Sequence, residues 1–355
     1  MSEVGTLIEM SMYAGERFDL VQAGGGNSSV KYDSGEMIIK ASGFLLSDVN
    51  ENSGFSKVYT QKIAQIVKNV DVINEQDKRK RESLTSQLVK ESTIDKANRP
   101  SIETLLHSFL YKYTLHTHPI VVNMLVIRKD WKKILKSIFI NDDIVLVNYK
   151  TPGIELALEL DSELSKFDII PNIIFLQNHG LIITSQHKSE IQIKTEYVIN
   201  KIEEYLNIDM RRYKTTNKTT YLLNTIQNNN NISYLSEDNY LNEQLSENKD
   251  LFLSTPFCPD SLVYCGISSV VISDEFDIKS IEQYKNKFYE LPKVIIFENN
   301  LYFSAPNVKK AKEMEEVFKF HIMVLAQSNK DINYLELDEL AYLSNWEAEQ
   351  FRQKI

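Results

Sequence analysis

Three consecutive glycines, Gly24-Gly25-Gly26, constrain this chain more than any other feature, because only eleven glycines occur in its 355 residues. A glycine run frees the backbone for torsions closed to other residues, or lets it approach a neighbour or a ligand closely. Upstream, Leu7, Ile8, Met12, Tyr13 and Phe18 predict a helix over residues 5–19. Downstream, residues 29–32 and 37–41, joined by Asp33-Ser34-Gly35-Glu36, predict a β-hairpin ending at Ser42-Gly43. The glycines therefore run into a strand, not a helix, and no Gly-Lys-Ser/Thr follows, which excludes a dinucleotide fingerprint and a P-loop. Backbone N–H groups in such a turn form a concave nest for an anion, with Asn27, Ser42 and Ser101 as side-chain donors. Taken alone, a tight turn is the simpler explanation.

Two of the six histidines form His116-Thr117-His118, in a short strand stopped by Pro119. Strand residues i and i+2 share a face, so both imidazoles project into one space, as two ligands of one metal would. A third ligand must come from elsewhere, and His179 in Asn178-His179-Gly180 sits at a strand–turn–strand junction able to present it. Three histidines with an open fourth position are a common catalytic zinc arrangement. Satisfied structural histidines fit the same spacing. Arg99-Pro100-Ser101-Ile102-Glu103 predicts a helix start, with Leu105, Leu106, Phe109 and Leu110 at helical spacing through Tyr113. Glu103 is then either a base beside the metal or a charge complementing the helix N-terminus.

Elsewhere, residues 56–98 are polar and helix-permissive, with Ile63, Ile66 and Val67 on one face. Residues 120–127 predict a helix, 144–147, 169–176 and 181–184 strands, and 188–206 a helix. Residues 207–250 are polar around Gln227-Asn228-Asn229-Asn230-Asn231 and predict a connector between a domain over 1–206 and another over 251–355. In the latter, 261–265 and 269–272 predict strands and 308–327 a helix. Residues 294–303 echo residues 173–182, each pair of strands followed by a helix, but the second copy lacks the histidine.

Charge narrows the partners. With 40 Lys+Arg against 49 Asp+Glu the net charge is −9, which argues against nucleic-acid coating; the basic run Lys78-Arg79-Lys80-Arg81 reads as a solvated helix face. Cys258 and Cys265 are too few to staple a chain of this size and have no nearby His or Cys for metal, so they read as buried thiols in a reducing compartment. The N-terminus lacks a basic and apolar leader, and the longest apolar stretch is too short to cross a bilayer. The expectation is a cytoplasmic protein with neither nucleic-acid nor membrane partners.

Read together, Gly24-Gly25-Gly26-Asn27-Ser28-Ser29-Val30-Lys31, Ile39-Lys40-Ala41-Ser42-Gly43, Pro100-Ser101-Ile102-Glu103, His116-Thr117-His118-Pro119 and Asn178-His179-Gly180 resemble, in order and rough spacing, the class II aldolase/adducin family over residues 5–205. Residues 99–107 resemble most the aldolase part of rhamnulose-1-phosphate aldolase/dehydrogenase fusions, and the ending Leu343-Ser344-Asn345-Trp346-Glu347-Ala348-Glu349-Gln350-Phe351-Arg352 is similar to the close of such longer members. The resemblance implies a three-layer α/β/α fold around a mostly antiparallel sheet, followed by a smaller α/β domain of unassigned role. It implies one Zn²⁺ per chain on His116, His118 and His179, Glu103 as acid/base, and Gly26, Asn27, Ser42, Gly43 and Ser101 around a substrate phosphate. It also implies a homo-oligomer, a tetramer by analogy, with sites at subunit contacts and a tyrosine that protonates the departing aldehyde; eighteen tyrosines leave that residue unnamed. Ile102 departs from the second polar residue common before the glutamate, which puts one phosphate contact in doubt.

The implied reaction is reversible cleavage of a phosphorylated ketose to dihydroxyacetone phosphate, or a similar fragment, and an aldehyde. Decarboxylation, dehydration and 4-epimerisation of sugar phosphates run on the same scaffold, though Glu103 disfavours the epimerases, which resemble this layout with an aspartate there. A non-catalytic, adducin-like module is the remaining class, and retention of the metal-ligand positions argues against it.

Overall fold

Strands that bury both of their faces decide the architecture. The computed structural model describes residues 2–226, 231–328, 332–336 and 338–340, and the chain divides into the units Met1–Met210 and Arg211–Ile355. Seven strands build the first unit: β1 (Asn27–Lys31), β2 (Glu36–Lys40), β3 (Phe55–Tyr59), β4 (Tyr113–Thr117), β5 (Ile144–Val147), β6 (Ile173–Leu176) and β7 (Gly180–Ser185). Their order is β3-β2-β1-β4-β7-β6-β5, antiparallel throughout except for the parallel β5–β6 pair.

Ile38, Leu115, Phe175, Leu181 and Ile183 pack with helices Glu3–Gly15, Ile120–Val126, Trp131–Ile138 and Ser189–Leu206. Their strand neighbours Met37, Val145, Val147, Ile174 and Ile182 pack with helices Thr60–Ile66, Thr104–Phe109 and Ile154–Leu164. Because consecutive strand residues face opposite ways, the two clusters cover opposite sides of one sheet, giving the expected three layers.

Three local expectations are corrected. Residues 100–103 do not begin the helix: Pro100 bridges to Ala41 and the Ser42 N–H donates to the Arg99 carbonyl at 2.8 Å, so the chain stays extended beside β2 and the helix starts at Thr104. The polar 56–98 stretch opens with edge strand β3, where Ser56 and Val58 alternate inward, before helices Thr60–Ile66, Val70–Asn74 and Lys78–Glu91. Residues 261–265 belong to helix Pro259–Cys265, because Pro259 presets the first helical turn and an apolar run this short carries no period of its own.

The second unit holds β8 (Ile232–Leu235), β9 (Ser269–Ile272), β10 (Val294–Phe297) and β11 (Asn300–Ala305) in the order β8-β11-β10-β9, with only β9–β10 parallel. It also has both faces covered: Leu301 and Phe303 pack on one side, Ile295 and Tyr302 on the other. Order and directions repeat those of β4-β7-β6-β5, and the strands occur in the same chain sequence. Much of the expected connector is part of this unit. Helix Arg211–Ile226 buries Thr215, Thr219, Leu222 and Leu223, and the threonine hydroxyls donate to preceding helical carbonyls (Thr215 to Arg212 at 2.7 Å, Thr219 to Thr215 at 3.0 Å), so a polar sequence still buries one face. Residues 227–230 and the ending at 343–352 lie outside the described residues. Lys78, Arg79 and Lys80 are exposed on their helix, and no described helix is long and apolar enough to cross a membrane.

His321 lies in the second unit's core, its ring stacked on Phe257 at 5.1 Å and its Nε2 3.2 Å from the Ser254 hydroxyl. Burial lowers its pKa to about 4. The unfolded chain therefore binds this proton first, near pH 6.5, so the stability present above that pH is lost as pH falls toward 4. Urea unfolding at pH 7 and pH 5 should show a loss of about 2 kcal/mol traceable to this residue; His321→Phe should reduce the difference by that amount, and an unchanged difference would refute the assignment.

Candidate metal centre

The centre is built where β4 ends against the β6–β7 turn. Leu115 and Thr117 flank His116 on β4 and take the opposite face of the strand, so His116 and His118 share a side of the chain, as the spacing requires. Asn178 adopts φ 53° in the turn, and Gly180 follows it. A Cβ at Gly180 would lie 2.3 Å from the Thr117 carbonyl oxygen and 3.2 Å from the Cα of His118. Only glycine permits this contact, and the contact delivers His179 to the other two histidines.

The three imidazoles converge. His116 Nε2 lies 3.1 Å from His118 Nε2 and 3.3 Å from His179 Nε2, and the ligand atoms of all three fall within 4.8 Å of one another. His116 Nδ1 is 3.0 Å from the Leu181 carbonyl and donates to it, which leaves the Nε2 lone pair directed inward. Lone pairs this close repel unless a proton or cation lies between them. A Zn–N bond of ~2.0–2.1 Å at tetrahedral angles separates two nitrogens by ~3.3 Å, so the donor set fits a divalent ion of zinc's size and preference.

Glu103 closes the centre. Its Oε1 is 3.1 Å from His179 Nε2 and 3.4 Å from His116 Nε2. Burial by itself would raise the Glu103 carboxyl, but His116 and His179 hold it well below the usual range, so it is ionised. His116 moves the opposite way, raised against its burial by Glu103 and the Leu181 hydrogen bond. Burial, with His116 and His179 alongside, lowers His118 to about 3, so it offers a neutral nitrogen at working pH.

Of the expected phosphate contacts, Asn27 and Ser101 both bond to Glu103, Asn27 to its carboxylate and Ser101 to its backbone. The Asn27 amide donates to Glu103 Oε2, and the Glu103 N–H donates to Ser101 Oγ at 3.2 Å. Asn27 also pairs in register with His116 across β1–β4. Gly26 has φ 71°, and a Cβ there would lie 2.9 Å from the His116 carbonyl; at Gly25 it would lie 2.8 Å from His118 Nδ1. The glycine run thus packs against the histidine strand. Ser42 and Gly43 are exposed, with open space around Gly43. A cavity of about 520 Å³ under helix Lys78–Glu91 reaches Ser101 and Ile102. His107 takes no part: it is buried with Nδ1 2.7 Å from the Ser29 hydroxyl, and burial lowers it to about 3.

Sequence reasoning missed two supports. Lys40 Nζ donates to the carbonyls of Gly24 at 3.2 Å and Phe44 at 2.7 Å, tying the glycine loop to the 42–44 loop; a buried lysine in an apolar strand was the available signal. Arg17 and Asp19 form a buried two-point ion pair, at 2.6 and 3.0 Å, that holds the segment whose Leu20 and Asp19 carbonyls accept from His118 and Ile120. Both residues lie far from the histidines in sequence, and nothing local ties them to the centre.

Residues 6–206 match the family described as class II aldolase and adducin N-terminal domain. The curated Bacillus subtilis (strain 168) protein "uncharacterized oxidoreductase YuxG" is 28% identical over 213 residues, 58% of this chain but only 30% of that protein's length. Among solved structures, the N-terminal class II aldolase domain of a conserved protein from Thermoplasma acidophilum matches 58% of this chain and 94% of its own, with 24% identity and a TM-score of 0.50. YgbL from Klebsiella pneumoniae matches 59% of this chain and 90% of its own, with 16% identity and a TM-score of 0.42.

Gly180→Ala should displace the Thr117 carbonyl and with it His118 and His179. Zinc affinity measured by competition with a chromophoric chelator is expected to fall about 10- to 100-fold, with far-ultraviolet circular dichroism unchanged; wild-type affinity in a folded variant would show that the close contact does not set the site.

Proposed function

We propose that this chain, which belongs to the class II aldolase and adducin family, is a metal-dependent carbon–carbon lyase that reversibly cleaves a phosphorylated ketose to dihydroxyacetone phosphate, or a similar fragment, and an aldehyde. The observation that carries this reading is an ionised, buried carboxylate, Glu103, set 3.1–3.4 Å from two nitrogens of a three-histidine cluster.

His116, His118 and His179 would hold the ion, and zinc suits an all-nitrogen set with one side open. When bound, it supplies Lewis-acid stabilisation of the negative charge left on the triose fragment when the carbon–carbon bond breaks. In the condensation direction the ionised Glu103 removes the proton from the carbon that will carry the bond; in cleavage the proton lost by the hydroxyl that becomes the aldehyde balances the one that the then-protonated Glu103 returns to that carbon. Asn27 holds one carboxylate oxygen so that the other faces the histidines, and the Ser101 hydroxyl accepts from the Glu103 backbone N–H. Gly26, Asn27, Ser42, Gly43 and Ser101 are the proposed phosphate contacts, with Lys40 holding the two loops in register. Sites at contacts between identical chains, four by family analogy, belong to the same reading, and native mass measurement checks them.

Metal content should be about one zinc per chain and should be lost in His116→Ala. Incubation of the loaded enzyme with ketose 1-phosphates, coupled to triose-phosphate detection, should reveal turnover that Glu103→Gln lowers by about 10²- to 10⁴-fold with zinc retained. Zinc without triose phosphate would move the reading to decarboxylation, dehydration or epimerisation, and absence of metal would leave a binding module. Lys40→Met should raise KM for the active sugar phosphate more than it lowers kcat; an unchanged KM would separate Lys40 from substrate binding.

A further inference from the structure

The second unit repeats the strand plan of the first but not its chemistry. Counting from the β10–β11 turn, Leu301 corresponds to Leu181, so Leu235 stands at the position of His116 and Glu237 at that of His118. The turn itself has two residues, Glu298 and Asn299, where the first unit has three, and no counterpart of His179 remains. That end of the second sheet carries no histidine cluster. The opposite end, where β10 begins, β11 ends and helix Val308–Gln327 starts, encloses a cavity of about 220 Å³.

We propose that this cavity binds a compact organic anion, a phosphate or carboxylate on a short apolar body. Two ammonium groups line it, Lys293 just before β10 and Lys310 in the first turns of the helix, and among the described residues no carboxylate does. Lys293 Nζ makes one hydrogen bond among the described residues, to the Val263 carbonyl at 2.7 Å, which leaves two of its three N–H donors unused. Burial lowers its pKa, with the Glu290 carboxylate nearby opposing, so a bound anion would also relieve the desolvation of this cation. Lys310 is paired with Glu313 at 3.0 Å on the same helix, an exposed-side pair that an incoming anion can share. Ser304 and Asn231 add a hydroxyl and an amide, 3.5 Å apart, suited to the anion's remaining oxygens. Val263, Pro306 and Met314 supply the apolar wall. Since a cavity of about 150 Å³ accommodates benzene, this one has space for a ring-sized body plus its anionic group.

Titration calorimetry on the full chain should test this with phenyl phosphate and phenylacetate as probes and benzyl alcohol as the neutral control. At least one anion should bind with a sub-millimolar Kd, benzyl alcohol should not, and Lys293→Met should weaken binding at least about 10-fold. Lys310→Met, at a more exposed position, should weaken it as well and serves if Lys293→Met does not fold. His116→Ala should leave the binding intact, which separates this cavity from the metal centre and its proposed activity. No heat with either anion, equal affinity for benzyl alcohol, indifference to both lysine substitutions, or loss of binding in His116→Ala would each overturn the proposal.

Discussion

Everything at the metal centre depends on one close approach, that of the backbone at Gly180 to the carbonyl of Thr117. Two strands pairing in register would place His116 and Ile182 opposite each other without bringing His179 near. The turn from β6 to β7 does so because Asn178 takes a left-handed conformation and Gly180 has no side chain to hold the strands apart. The outcome is a set of imidazole nitrogens with their lone pairs turned inward at 3.1–3.3 Å, an arrangement that is unfavourable without a positive charge among them. The centre is therefore organised for a cation by the backbone, before any ligand chemistry is considered.

The surroundings stiffen that arrangement from three directions. Leu181 fixes the His116 tautomer through its carbonyl. The glycine run packs against His116 and His118 with no room for a Cβ at Gly25 or Gly26. The Arg17–Asp19 pair, fully buried, anchors the turn that receives the His118 and Ile120 N–H groups. Removing Arg17 would leave Asp19 charged in the core, at a cost of roughly 3–5 kcal/mol, so this support is strong although distant in sequence. The carboxylate of Glu103 completes the set with its ionisation secured by the very histidines it faces.

The second unit repeats the strand plan of the first without its histidine site. Strand order, direction and burial on both faces repeat, because they follow from apolar alternation and from the parallel and antiparallel pairings of four strands. The histidines do not repeat, and shortening one turn by a residue removes the position from which a third ligand would come. What chemistry the unit has to offer lies at its other end, around two lysines.

Much was legible in the residues. Local patterns determine that His116 and His118 share one side of the chain at the end of β4, that a hairpin follows the glycines, that both halves of the chain are α/β, and that five ordered motifs match one family; each rests on periodicity or spacing within a few residues. The start of helix Thr104–Phe109, edge strand β3 and helix Pro259–Cys265 were not legible, because Pro100 answers to Ala41 across the sheet and short apolar runs take their form from what they pack against. The threonine-rich helix Arg211–Ile226 was hidden by its polarity, since hydroxyls that bond to their own helix bury as readily as methyl groups. Only the tertiary structure decided that Asn27 and Ser101 hold Glu103, that Lys40 ties two loops, and that three imidazoles from the end of β4 and the β6–β7 turn share one point. Those are contacts between residues up to 76 positions apart for Asn27 and Glu103 alone, and a sequence records which side chains are present but not the distances that folding sets between them.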